Sequence, residues 1–209
     1  MTLAIGALVS DRGSNLEAIL NFIESDHIRN AEVKIVISDR AGVRALKIAE
    51  AHNVKNVAVE RDTESNGQKW EYDKKILEVL EENGVRRDEG LVILAGYNMI
   101  LTPEFCREFD GRIMNIHPTL LPSFQGREGQ RQALEYGVKI SGATVHFVVA
   151  KFDSGPIIIQ EDVPVLEDDT VESLSARILD KEHEIYPEAI RLFADGRLRV
   201  ENGRVKILN

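Results

Sequence analysis

The stretch RIMNIHPTLLPSFQG, from Arg112 to Gly126, organises the predicted fold of this chain. It opens with a short apolar strand, Ile113 to Ile116, and Pro118 stops it because proline removes a backbone donor and fixes φ. Side chains two positions apart on a strand point the same way, so Asn115 and His117 are expected to face one small volume. An amide donor beside a titratable imidazole suits a reaction at a carbonyl, where charge develops on oxygen. A core histidine that only completes a strand end is an equally good interpretation of this motif alone.

Length and composition predict one α/β domain over residues 1–209. A chain of 209 residues, of which 43% are hydrophobic, can bury a substantial core. Cys106 is its only cysteine, which excludes an internal disulfide and a cysteine-based zinc site. The net charge of −9, without a cluster of Lys and Arg, argues against nucleic acid as a main partner, because backbone phosphates require a basic surface.

The N-terminal residues do not have the pattern of a targeting sequence. Met1 to Ser10 lacks a basic start and a long apolar run, so we interpret it as a first strand. No segment approaches the roughly 20 apolar residues that a membrane helix needs. We therefore expect an intracellular, cytoplasmic protein without a membrane partner.

A strand, a glycine-containing turn and a helix are predicted at the start of the chain. Leu3 to Val9 is continuously apolar, as in a strand buried on both faces of a parallel sheet. The helix that follows carries an apolar stripe at Leu16, Ile19, Leu20 and Ile23. Between them, the turn would aim backbone N–H groups and the positive end of the helix dipole at one point. Gly13, Ser14 and Asn15 would hold a phosphate there, unless Ser14 or Asn15 only caps the helix.

The middle of the chain repeats the strand–helix pattern. Further strands are predicted at Val33–Ile37, Val57–Val59 and Leu91–Ala95, and helices at Val43–His52, at Lys69–Glu82 and from Pro103. We therefore predict an α/β fold with a doubly wound, mostly parallel, Rossmann-like sheet. The Gly13 turn, the loop that begins at Gly96 and the Asn115–His117 strand end would all face one crevice, at the carboxyl ends of the strands.

The pattern changes after His117. Ser141–Val149 and Ile157–Val165 are strands joined by a tight loop, which indicates antiparallel pairing at the sheet edge. Asp153 lies in that loop, where an aspartate most often caps the backbone.

A C-terminal helix and hairpin complete the prediction. Asp169–Ala194 is a long helix whose residues Asp169 and Glu172 have capping-box spacing. Glu182 lies in the middle of it, where charged residues are mostly solvated. Asn202-Gly203 predicts a hairpin after the helix.

Several of these motifs, taken in order, resemble one known family. They are Gly13-Ser14-Asn15, Leu94-Ala95-Gly96-Tyr97, Asn115-Ile116-His117-Pro118, Arg131-Gln132-Ala133-Leu134, Gly142 to Val148, Asp153-x-Gly155-Pro156 and Glu182-His183-x-Ile185-Tyr186-Pro187. On these residues the chain resembles the folate-dependent phosphoribosylglycinamide formyltransferases of purine synthesis, from about Leu3 to Gly196. Separated matches in the same order are far more specific than any one of them.

The resemblance implies a reaction and its catalytic residues. A formyl group would pass from 10-formyltetrahydrofolate to the primary amine of glycinamide ribonucleotide, by direct attack through a tetrahedral intermediate and without a metal. Asn115, His117 and Asp153 match the catalytic residues of the family. Asn115 and a protonated His117 would donate to the oxyanion, and Asp153 would favour the charged imidazole and relay the proton that leaves the amine.

The resemblance also implies where the two small-molecule substrates bind. The substrate phosphate would lie on Gly13, Ser14 and Asn15, and the ribose on Glu182. The folate would bind to Met99, Ile100, Leu101, Val148, Val149 and Phe152, with Lys69 toward its glutamate tail. Thr144 and His146 match positions beside the catalytic group. Members of the family occur as monomers and as homodimers, and both remain open.

Some positions depart from the family pattern. Asp11 replaces a glycine and brings an acid close to the expected phosphate. Met99 replaces an arginine that is common in the folate loop, and Leu179 stands where some relatives place a polar substrate contact. These departures concern the ribose and folate-tail contacts more than the chemistry.

Two other functions are consistent with the same motifs. A 10-formyltetrahydrofolate hydrolase uses the same Asn, His and Asp with water as acceptor, although such relatives usually carry an additional N-terminal domain. A phosphometabolite-binding domain without activity would need only the Gly13 turn. A tRNA-directed formyltransferase is disfavoured, because it would require a basic C-terminal domain.

Overall fold

The structure, a computed structural model, describes residues 2–60 and 69–208. Its strands are β1 Leu3–Val9, β2 Ala31–Ser38, β3 Asn56–Ala58, β4 Leu91–Leu94, β5 Ile113–His117, β6 Ile140–Phe147, β7 Ile157–Pro164, β8 Leu198–Glu201 and β9 Arg204–Ile207. Its helices are α1 Ser14–Glu24, α2 Arg44–Ala51, α3 Lys69–Glu82, α4 Pro103–Glu108, α5 Gly129–Tyr136 and α6 Val171–Ala194.

One seven-stranded sheet carries the fold, in the order β3-β2-β1-β4-β5-β6-β7. Strands β1 to β5 pair in parallel, whereas β6 is antiparallel to β5 and β7 is antiparallel to β6. The predicted mostly parallel sheet with antiparallel edge strands is therefore confirmed. Strands β8 and β9 form a separate hairpin, in which Asn202 and Gly203 both have positive φ, as the Asn-Gly signal predicts.

Helices cover both faces of the sheet. The side chains of each strand alternate between the two faces and pack into two separate apolar clusters. In β1, Ile5, Ala7 and Val9 pack into a cluster that includes residues of α1, α2 and α6. Leu8 points the other way, into a cluster with α3 and α4. These buried strands are therefore apolar on both faces, which produces the continuous apolar runs seen in the sequence.

The strand order reverses direction at β1. From this strand the chain proceeds outward through β2 and β3, and then returns to place β4 on the other side of β1. Loops that follow β1 and β4 consequently diverge, and the space between them is where open α/β sheets bind ligands. Ser10 joins the two loops: its N–H donates to Gly96 O at 3.1 Å, and its Oγ accepts from Asn98 N at 2.8 Å.

Helix α6 packs below the carboxyl ends of the central strands. The hydroxyl of Tyr186, a fully buried residue, lies 3.1 Å from Leu94 O in β4 and 2.9 Å from Met114 O in β5. This contact fixes the rotation of the helix relative to the sheet. Glu182, one turn earlier, is thereby turned toward the protein rather than toward solvent.

Several element boundaries differ from the sequence prediction by one or a few residues. The capping box of α6 is formed by Thr170 and Ser173 rather than by Asp169 and Glu172, and the helix begins at Val171. Asp169 instead accepts a hydrogen bond from Ser173 Oγ and pairs with Arg177, eight positions further along the chain, and this ion pair competes with the cap.

Strand β6 ends at Phe147, so Val148 and Val149 lie beyond it. They belong to the segment that leads into the Asp153 loop. Within the described residues, no helix is both long enough and apolar enough to cross a membrane.

Candidate active site

Four polar side chains, from β5, β6 and the loop between β6 and β7, meet at the end of β5. His117 Nδ1 lies 3.4 Å from Asp153 Oδ2, and the other carboxylate oxygen lies 3.8 Å from His146 Nε2. Asn115 Nδ2 is 3.3 Å from the same His146 nitrogen. The side chains of His117 and Asp153 are only 5% and 3% exposed, so this contact is shielded from water.

Carbonyl partners assign the protons on both imidazoles. His146 Nδ1 lies 2.8 Å from Phe147 O, which can only accept, so Nδ1 carries a proton. Burial lowers the pKa of His146, which favours the neutral ring and leaves Nε2 as an acceptor for the Asn115 amide. His117 Nε2 is 3.0 Å from Phe124 O and is likewise protonated, while its Nδ1 faces the carboxylate of Asp153.

Strand pairing places these groups side by side. In the β5–β6 ladder, Asn115 lies opposite His146, and His117 lies opposite Thr144. Thr144 Oγ1 donates to Thr119 O at 2.6 Å and accepts from Leu121 N at 3.0 Å. Thr144 thus holds the segment after His117 against β6 rather than acting at the reacting atoms.

Asp153 is held in an unusual backbone conformation. Its φ is 44°, in the left-handed region, and its carboxylate accepts from Gly126 N at 2.9 Å. The loop approaches β6 so closely at Gly155 that an added Cβ would lie 1.8 Å from Phe147 O. The interpretation of Asp153 as a backbone cap of its own loop is not what the structure shows, since its carboxylate accepts from Gly126 N in another loop and faces Nδ1 of His117.

The turn after β1 has the geometry of an anion site. Gly13 is the N-cap of the 11-residue helix α1 and has a φ of 75°. A side chain there would also collide with Ala45, whose Cα lies 2.7 Å from the ideal Cβ position. Neither Ser14 nor Asn15 caps the helix, because no side-chain cap bond is present. The first N–H groups of α1 therefore remain directed toward the crevice.

Asn15 points instead toward α6. Its Nδ2 donates to Glu182 Oε2 at 2.7 Å, and both residues are buried. Burial raises the pKa of Glu182, and the hydrogen bond from Asn15 offsets part of that rise, so the net pKa is about 7. The expectation that a charged residue in mid-helix is solvated is therefore wrong for Glu182.

A crevice of about 730 Å³ joins the substrate-binding candidates to the catalytic candidates. Its lining includes the predicted residues Gly13, Ser14, Asn15, Asn115, His117, Asp153 and Glu182, together with Met99, Ile100 and Phe152. This confirms the prediction that the Gly13 turn, the Gly96 loop and the β5 end face one crevice. Asp11 and Leu179, the two departures from the family pattern at the substrate end, line it as well.

A narrow slot of about 40 Å³ adjoins the crevice. Its lining includes the predicted folate residues Met99, Ile100, Leu101, Val148, Val149 and Phe152. Asn115, His146 and Asp153 line the same slot. Lys69, the first residue of α3, is exposed and lines neither cavity, so its contact with a glutamate tail stays a prediction.

Sequence reasoning missed the residues that act on Asp153 from the loop after Pro122. Gln125 Nε2 donates to Asp153 O at 2.7 Å, next to the Gly126 contact. It also missed Arg12, Arg127 and Ser175, which line the crevice. No local pattern could have found them, because each depends on how distant loops meet.

Comparisons with known proteins agree on one family. The sequence profile of a family described as formyl transferase matches residues 3–190. A trifunctional purine biosynthetic protein adenosine-3 from Gallus gallus is 41% identical over 202 residues, which are 96% of this chain and 19% of that protein. The chain thus spans about a fifth of the length of these multifunctional relatives.

Shorter relatives match over nearly their whole length. A phosphoribosylglycinamide formyltransferase from Haemophilus influenzae is 37% identical over 95% of this chain and 90% of its own. The crystal structure of glycinamide ribonucleotide transformylase 1 from Symbiobacterium toebii superimposes with a TM-score of 0.93 at 48% identity, covering 100% of this chain and 95% of that one.

Proposed function

The chain belongs to the formyl transferase family, and we propose that it transfers a formyl group from 10-formyltetrahydrofolate to the amine of glycinamide ribonucleotide. One observation carries the proposal: the crevice and the slot share a wall that contains Asn115 and Asp153. A substrate in each cavity would meet its partner at these side chains. Positioning two reactants in this way accounts for a large part of the barrier in group transfer.

The crevice fits a phosphorylated amine. A phosphate at the start of α1 would accept from the N–H groups that follow Gly13 and gain from the helix dipole. Glu182 would accept from ribose hydroxyls. Asn15 Oδ1 is buried without a hydrogen-bond partner among the described residues, and a donor on the substrate would satisfy it. Arg12 and Arg127 on the crevice wall offset the charge of Asp11.

The slot fits a flat, partly polar ring system. Its walls are mostly apolar, and its catalytic end carries the Asn115 amide and Asp153. Its volume of about 40 Å³ is well below the roughly 300 Å³ of a typical ligand pocket. Ile100 and Phe152, which are 59% and 48% exposed, are the side chains able to move outward when a pterin enters.

The chemistry we assign to these residues needs no covalent enzyme intermediate. The substrate amine attacks the formyl carbon, and negative charge develops on the formyl oxygen. Asn115 has two N–H groups on Nδ2: one is directed to His146, and the other remains for that oxygen. One donor of this kind is worth roughly 3–4 kcal/mol of barrier.

His117 and Asp153 carry out the proton transfers of the reaction. A protonated His117 donates to the formyl oxygen, and for this its Nε2–H must leave the carbonyl of Phe124. Asp153, 3.4 Å from Nδ1, stabilises the charged ring and receives the proton that the amine loses, directly or through water. As the intermediate collapses, the bond between the formyl carbon and N10 of the folate breaks, and N10 takes up that proton, which restores the carboxylate of Asp153.

A single assay tests the proposal. Purified protein is given 10-formyltetrahydrofolate with and without glycinamide ribonucleotide, and tetrahydrofolate and formate are followed. Tetrahydrofolate that appears only with the nucleotide supports the proposal. Equal release of formate without the nucleotide would identify a hydrolase, and nucleotide binding without turnover would identify a binding domain.

Three further proposals accompany this function. We propose that residues 1–209 form one formyltransferase domain, and the single sheet shared by β1 to β7 supports it. The enzyme would act in the cytoplasm on small-molecule substrates, as do metabolic enzymes that supply purines. It would function as a monomer or a homodimer, because every group assigned above comes from one chain.

A further inference from the structure

Two neighbouring residues, Gln125 and Gly126, hold Asp153 at two different atoms, and we call this pair of contacts the clamp on Asp153. The side chain of Gln125 donates to the main-chain oxygen of Asp153 at 2.7 Å. The main chain of Gly126 donates to the side-chain oxygen Oδ2 of Asp153 at 2.9 Å. One contact therefore fixes the peptide of Asp153, and the other fixes the direction of its carboxylate.

The Asp153 loop needs such an external contact. Its neighbours Lys151, Phe152 and Ser154 are exposed, and Ser154 Oγ bonds only to Lys151 O within the same loop. Asp153 itself has a φ of 44°, in the left-handed region that few L residues occupy and that costs backbone energy. Without the Gln125 contact, rotation of this peptide would swing the carboxylate away from His117 Nδ1, now 3.4 Å distant.

We propose that Gln125 is a positioning residue for the formyl transfer, acting through Asp153. This inference rests on the proposed function. Gln125 is exposed and lines neither the crevice nor the slot, so it does not touch a substrate in either cavity. Its contribution is to hold the Asp153 peptide in the orientation that aims the carboxylate at His117.

The kinetic test replaces Gln125 and a matched glutamine. Gln132, in α5, also donates to a backbone oxygen, Arg127 O at 2.8 Å, and makes no contact with Asp153 in the structure. Gln125→Ala should lower kcat roughly three- to tenfold, the range that one net hydrogen bond covers. KM for glycinamide ribonucleotide should change less than about twofold, because its binding groups are untouched. Gln132→Ala should leave both constants unchanged, and Gln125→Lys, which restores a donor, should recover most of kcat.

A second readout does not depend on activity. Lys151 is exposed in the Asp153 loop, so trypsin cleavage after this residue reports how often the loop opens. Gln125→Ala should increase the cleavage rate several-fold relative to the wild type and Gln132→Ala, with an unchanged thermal midpoint. Equal cleavage rates, or an equal loss of kcat in both variants, would overturn the clamp. Faster cleavage in Gln125→Ala together with a wild type that lacks transferase activity would uphold the clamp and reject the proposed function.

Discussion

Asn15 Nδ2 and Glu182 Oε2 lie 2.7 Å apart, although 167 positions separate the two residues in the chain. The contact ties the first turn of α1 to the middle of α6 inside the crevice wall. Burial raises the pKa of Glu182, and the amide of Asn15 offsets part of that rise, which leaves a net pKa of about 7. The crevice therefore contains a carboxyl group whose charge changes near neutral pH, and Asn15 favours its ionised form.

Asn15→Ala should weaken nucleotide binding most strongly near neutral pH. Without the amide, the pKa of Glu182 should rise further, so less carboxylate is available to accept from the ribose. We expect KM for glycinamide ribonucleotide to increase roughly tenfold at about pH 7 and to recover as the pH rises. The measurement is KM between about pH 6 and about pH 9, in the wild type and the variant.

Comparing the two proteins on one substrate cancels the titration of the substrate phosphate. Glu182→Gln is the matched control, since it cannot ionise and should flatten the pH dependence of KM. A uniform increase in KM for Asn15→Ala, parallel to the wild type at every pH, would mean that Asn15 acts on the phosphate and not through Glu182.

Glu182→Gln should stabilise the fold above neutral pH. The pKa of Glu182 is raised from 4.5 to about 7 in the folded state, so that state binds the proton more tightly than the unfolded chain. The contribution of this group to stability is thus fully present below about pH 4.5 and is lost as the pH rises through about 7. Above that pH the free energy of unfolding of Glu182→Gln should exceed that of the wild type by on the order of 3 kcal/mol.

Chemical denaturation at about pH 4.5 and about pH 8 measures this gain. The wild type and Glu182→Gln should unfold at similar denaturant concentrations at the lower pH. At the higher pH, Glu182→Gln should unfold at a higher denaturant concentration than the wild type. Lower stability of Glu182→Gln at both pH values would show instead that the carboxylate is paired and stabilising.

Local chemistry made much of the fold predictable. Asn202-Gly203 requires positive φ at both residues, and that requirement identified the hairpin. Gly13 lies in the turn between a buried strand and a helix, and that pattern predicted an anion site there. In both cases the determining interaction lies within a few residues.

Interactions between distant segments were not predictable from such patterns. The Asn15–Glu182 pair depends on how Tyr186 sets the rotation of α6 below the sheet. The clamp on Asp153 depends on two loops 27 positions apart. The resemblance to a family supplied Glu182 and Asp153 as candidates, but only the folded chain shows which atoms hold them.

Asp153→Asn should reduce turnover far more than binding. The amide cannot accept the proton of the amine or neutralise a protonated His117, which now lies 3.4 Å from the carboxylate. We expect kcat to decrease by about 10²- to 10⁴-fold, while KM for both substrates changes little. Steady-state kinetics with both substrates measures the two constants, and Ser154→Ala in the same loop serves as control. Unchanged turnover would remove Asp153 from the mechanism.

Gly155→Ala should damage catalysis through geometry rather than charge. The added Cβ would lie 1.8 Å from Phe147 O, and the neighbouring Phe147 N donates to Pro156 O at 2.9 Å, so the loop cannot retreat without breaking that bond. A shift of about 1 Å would move the Asp153 carboxylate away from His117, and a displacement of this size can cost about 10² in rate. We expect kcat to decrease by at least about tenfold and the free energy of unfolding by about 1–3 kcal/mol.

The neighbouring Ser154→Ala variant separates this steric effect from a general weakening of the loop. Ser154 is exposed and bonds only within the loop, so its removal should leave kcat close to the wild-type value. If Gly155→Ala keeps full turnover while its stability falls, the approach of the loop to β6 serves folding alone. If both variants lose turnover equally, mobility of the loop controls the reaction, and the fixed position of the Asp153 carboxylate does not.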